Sequence, residues 1–150
     1  VKYLLLAFAA FFALGTCQPK RMPDARARLA KLSASSEVRL FSLRGNPWVK
    51  TVRLGKYPEF LACLRGADFV GVRTIKPNSN QLLAEYGLTS PDGSLAINSY
   101  PSFAPLDLEI TREATHEIDL YRSSAPSLRA ALDKVMVAEF GQEWLSGEKR

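Results

Sequence analysis

Along most of this chain apolar and polar residues alternate with a period of two, and in a few places the spacing changes to that of a helix. Glu37 to Arg44 (EVRLFSLR) and Trp48 to Leu54 (WVKTVRL) are alternating runs rich in β-branched and aromatic residues. Gly45-Asn46-Pro47 between them supplies turn chemistry, so the pair predicts a hairpin. Phe69 to Ile75 (FVGVRTI) and Leu95 to Tyr100 read as further strands, the second entered through the turn Pro91-Asp92-Gly93-Ser94. The clearest alternation has Leu106, Leu108 and Ile110 on one face and Asp107, Glu109 and Thr111 on the other. His116 to Arg122 repeats it and is expected to pair with it through Arg112 to Thr115, with a helix over Thr111 to Tyr121 as the alternative.

Helical spacing occurs in four places. Tyr57 to Leu64 has Pro58 in its first turn and Gly66 beyond its end, and Asn80 to Tyr86 is followed by Gly87. Asp24 to Leu32 reads as a short helix with Asp24 as its cap. The longest, Pro126 to Leu145, is capped by Ser124 or Ala125 and carries Leu128, Ala131, Leu132, Val135 and Met136 on one stripe. The order of elements predicts an α+β fold, a mostly antiparallel sheet with a long C-terminal helix packed on it.

One apolar stretch belongs to neither pattern. Leu4 to Leu14 (LLLAFAAFFAL) is an unbroken run of eleven residues preceded by Lys2. A bilayer-spanning helix needs about 20 such residues, so the run predicts an export signal instead of a span. The expected organisation is a signal peptide over 1–16, a basic tether over 17–36 containing Pro19 and Pro23, and a single α+β domain over 37–150.

The end of the apolar run, Leu14-Gly15-Thr16-Cys17, resembles the lipobox of bacterial lipoproteins. That resemblance covers these four residues and the run before them, and no family is identified for the folded domain. It implies that Cys17 becomes the first mature residue and carries the lipid, placing the protein in the periplasm, anchored to a membrane. Ordinary cleavage after Gly15, which follows Ala13 in a small-x-small pattern, is the alternative and would yield a secreted soluble protein. In that case Cys17 and Cys63 would both enter an oxidising space and could form a disulfide.

Composition adds a class and an asymmetry of charge. With 47% hydrophobic and 23% charged residues, the chain falls among folded domains and away from disordered ones. The formal net charge is +5, but residues 18–77 hold 13 Lys and Arg against 4 Asp and Glu, whereas residues 106–150 hold 6 against 9. The basic tether beside a lipid anchor suits an anionic membrane surface. Within the domain, basic strand faces near Arg39, Arg53 and Arg73 are expected to pair with acidic ones near Asp107, Glu109, Glu117 and Asp119. Nucleic acid is not an expected partner, since no recognition module with interleaved aromatics is present.

Candidate chemistry is sparse. The single histidine, His116, and two cysteines fall short of an ordinary zinc set, so no metal or cofactor is expected. A cysteine hydrolase would need Cys63 activated by His116, with Asp119 or Asn98 orienting the ring. Cys63, however, sits late in its helix within Phe60-Leu61-Ala62-Cys63-Leu64, which reads as a buried structural thiol remote from His116. Ser90, Ser94 and Ser123 lack a nucleophile elbow, and Asp107 and Glu109 share a strand face as solvated acids often do. The expectation is a non-enzymatic binding or assembly component of the cell envelope, Cys17 being its one assignable functional residue and any protein partner unknown. An inhibitor or immunity protein against an exported enzyme is one alternative, and the Cys63–His116 hydrolase is the other.

Overall fold

The computed structural model of this protein describes residues 22–44, 48–77, 83–101, 104–142 and Trp144. Seven strands form one sheet: β1 (Glu37–Ser42), β2 (Trp48–Arg53), β3 (Val70–Ile75), β4 (Tyr86–Thr89), β5 (Leu95–Ser99), β6 (Leu106–Thr111) and β7 (Ile118–Ser123). Their order is β2-β1-β4-β5-β6-β7-β3, and every neighbouring pair is antiparallel. The described helices are α1 (Arg26–Leu29), α2 (Pro58–Gly66) and α3 (Pro126–Phe140), with a 3-10 turn over Leu54–Lys56. The architecture is therefore α+β, with an antiparallel sheet and a C-terminal helix, as the periodicity predicts.

Register shows which face the helices cover. Leu40, Leu88, Ile97, Leu108 and Tyr121 lie opposite one another across five strands, and all are buried. On this face the Tyr86 hydroxyl donates to Asp133 of α3 at 2.7 Å, Trp144 donates to the Ser42 hydroxyl at 2.9 Å, and Trp48 tilts against Phe140. The helices contribute Leu29 of α1, Phe60 and Leu64 of α2, and Leu128, Leu132 and Met136 of α3 to the same core. Each of these side chains removes apolar area from water at about 25 cal/mol per Å². Helix α3 stops at Gly141, whose φ of 89° suits glycine and whose N–H returns to the Val137 carbonyl at 2.8 Å.

Two readings change at this level. The sequence places Tyr86 and Gly87 at the end of a helix begun at Asn80; residues 80–82 lie outside the described residues, but Tyr86–Thr89 is strand β4. Gly87 is there because of close packing, since a Cβ on it would stand 2.0 Å from the Ile97 carbonyl oxygen. The tether expected over 17–36 also includes folded chain. Ala25 and Leu29 are only 2% and 1% exposed, so the folded body already includes residue 22 onward. The predicted helix over 24–32 shortens to Arg26–Leu29, and Leu32 packs against the core from beyond its end.

Candidate functional site

The entry of the chain into the domain is built from several small contacts. Met22 packs over Gly71 of β3, where a Cβ would meet its sulfur at 3.0 Å. The Pro23 carbonyl accepts a 2.7 Å hydrogen bond from the Tyr121 hydroxyl, and the Asp24 carboxylate accepts one from the Arg26 N–H at 3.0 Å. Ala25 and Leu29 then seal α1 to the core. The segment that follows Cys17 in sequence thus joins the folded body at the β3–β7 side of the sheet. Cys17 itself and the signal peptide expected over 1–16 lie outside the described residues.

The edge beside that entry is exposed. β3 pairs with β7 on one side, and no described strand lies on the other. Val70 and Val72 are 64% and 45% exposed, and the register shifts between Gly71 and Arg73, leaving Val72 without a partner residue. Arg73 and Lys76 are exposed and make no ion pair among the described residues, while Arg26 reaches Asp68 at 3.1 Å across exposed surface.

The buried charges are arranged differently. Asp119 accepts two hydrogen bonds from the Arg112 guanidinium, at 2.7 and 2.8 Å, and a third from the Thr74 hydroxyl at 2.8 Å. Burial opposes ionisation of this acid, but the hydrogen bonds from Arg112 and Thr74 outweigh it and hold the carboxyl below its ordinary range. On the sheet face opposite the helices, Asp107 forms a two-point ion pair with Arg122 at 2.8 and 3.1 Å. Beside it the Tyr100 hydroxyl donates to Glu109 at 3.1 Å, and burial together with the Glu109 charge pushes Tyr100 up to about 12. Glu139 of α3, with a side chain only 1% exposed, takes Lys50, Lys56 and the Tyr57 hydroxyl. Although burial alone would raise its pKa, these donors hold it down at about 2. Among the described residues no buried side-chain nitrogen or oxygen lacks a hydrogen-bond partner.

These pairings differ from the expected basic-to-acidic matching between strands. Asp107 and Asp119 each take an arginine from the β6–β7 hairpin or its loop, and Glu117 also reaches Arg112 at 3.5 Å. Arg53 pairs with Glu37 across the β1–β2 hairpin, whereas Arg39 and Arg73 make no ion pair among the described residues. Hairpin partners win because register brings them within reach without ordering a distant loop.

Cys63 is half-buried in α2 and packs against the core, less covered than the buried thiol its apolar neighbours predict. His116 occupies the β6–β7 loop with a φ of 56°, its N–H returning to the Arg112 carbonyl at 2.9 Å. The two residues sit on separate elements and no hydrogen bond joins them. Asp119 and Asn98, the candidate orienting groups, lie on β7 and β5, on opposite faces of the sheet by register. Among the described residues, no three metal-binding side chains cluster, and no helix is long and apolar enough to cross a membrane. Compared with protein-family models, curated proteins and solved structures, the chain matches none.

The exposed β3 edge is not evident in the sequence, where FVGVRTI looks like any strand. Its one signal is Gly71 between two valines, a bulge mark in a strand.

Proposed function

We propose that this protein is an exported lipoprotein, held at a membrane through Cys17, whose α+β domain has a non-enzymatic binding or assembly role in the cell envelope. The observation that carries the reading is the distance between anchor and domain. Leu14-Gly15-Thr16-Cys17 is followed after five positions by Met22, which is already packed on β3. Five residues reach at most roughly 18 Å, so a lipid on Cys17 keeps the domain beside the bilayer instead of free in the compartment. Burial and internal pairing of Asp107, Asp119 and Glu139 give these acids a structural role and leave the exposed edges as the surface for partners. Radiolabelled palmitate tests the anchor: the label is expected on the protein and lost in Cys17→Ala. Label that survives the substitution would refute lipidation at that residue. Co-purification in mild detergent then tests the binding role, with a stoichiometric envelope protein as the expected result.

A further inference from the structure

The β2 and β3 edges stand at opposite ends of the sheet, six strand spacings or about 29 Å apart. Both expose apolar side chains: Val49 at 71% on β2, and Val70 and Val72 at 64% and 45% on β3. Two observations separate them. Met22 lies on Gly71, in the middle of β3, so a chain of five residues from Cys17 holds this edge within about 18 Å of the anchor, whereas the other edge has no such tie. The cations also differ, because Lys50 of β2 is tied to the buried Glu139, whereas Arg73 and Lys76 of the β3 region make no ion pair among the described residues.

We propose that the β3 edge is a docking surface for anionic phospholipid headgroups, with Val70 and Val72 entering the interfacial zone and Arg73 and Lys76 meeting the phosphates. The inference rests on the Cys17 anchor and goes further, since it gives the anchored domain one orientation. Small exposed apolar groups beside unpaired cations are the combination an anionic interface rewards, the first through buried area and the second through the surface potential. The bulge at Val72 suits this use. An interrupted edge is a poor template for another strand but still presents its side chains outward. Arg26, paired with the exposed Asp68, lies at the same end. The β2 edge is left facing away from the bilayer, where a protein can approach it.

The test uses the lipidated protein in a Cys63→Ser background, reconstituted into vesicles of phosphatidylcholine with or without phosphatidylglycerol. A single environment-sensitive fluorophore is placed at Val72→Cys or, for comparison, at Val49→Cys. The label at 72 is expected to shift to the blue and be quenched by spin-labelled lipid only in the anionic vesicles, and the label at 49 to do neither. Arg73→Gln with Lys76→Gln, both at exposed sites, should lower the ratio of docked to undocked protein by about fivefold for each cation removed. Equal signals at 72 and 49, equal signals in both vesicles, or no change in the double variant overturn the proposal. Shielding of 72 that grows with protein concentration, without quenching by lipid, also overturns it and identifies a second copy as the occupant. Failure of the anchor is read separately, because an unprocessed Cys17 fails the palmitate assay and takes up the fluorophore itself.

Discussion

Replacing Glu139 with Gln keeps the shape of the side chain and removes its charge from a site where it holds three donors. The carboxylate lies at about 2, against 4.5 for an ordinary glutamate, so the folded state binds its proton far more weakly than the unfolded chain does. A difference of that size corresponds to about 3 kcal/mol at most. Lys50 and Lys56 are 50% and 62% exposed, however, and solvent screens what they contribute. About 1–2 kcal/mol is the expected loss in Glu139→Gln at neutral pH. For a domain of this size that is roughly 4–8 °C in Tm. The sign with pH follows from the depressed pKa. The stabilisation is present in full above the unfolded value of 4.5 and disappears as pH falls toward about 2. Urea denaturation of wild type and variant, followed by tryptophan fluorescence at a series of pH values, measures the difference directly. The two should diverge at neutral pH and converge as the pH falls to about 2. A difference that stays constant across this range would refute the argument, since the loss would then come from packing and not from charge.

Further outcomes follow from other sites. Gly87→Ala places a methyl group against the Ile97 backbone and should cost about 3 kcal/mol or more, read as loss of soluble, cooperatively melting protein. Gly66→Ala has nothing within 4 Å of the added carbon and should stay within about 0.5 kcal/mol of wild type in the same melt. Leu132→Ala, at a position that is 0% exposed under the sheet, should lose about 2–5 kcal/mol in urea denaturation. Trp144→Phe removes the hydrogen bond to Ser42, and its midpoint in the same titration should fall by the equivalent of about 1–2 kcal/mol.

Much of the fold is legible in the residues because local periodicity and turn chemistry act over a few positions. The alternation of Leu106 to Thr111, the proline at 126 and the stripe Leu128, Leu132, Val135 and Met136 name a strand and a helix without any knowledge of their neighbours. The lipobox-like Leu14 to Cys17 is a linear pattern of the same local kind, and the proposed anchor rests on it. Strand order does not, since β3 joins β7 at the far edge from β2 although only α2 and short connections lie between β2 and β3 in sequence. Nor does the identity of β4: Tyr86 and Leu88 alternate correctly, but a four-residue strand carries too little pattern to outweigh a glycine that reads as a helix stop. Ion pairing was equally hidden. Asp119 has many arginines in the sequence to choose from, and the β6–β7 hairpin settled on Arg112 by bringing its guanidinium within 2.7 Å. Edges, pairings and the point where the chain enters its domain depend on which residues meet across long separations, and that is decided by the packing of the whole core.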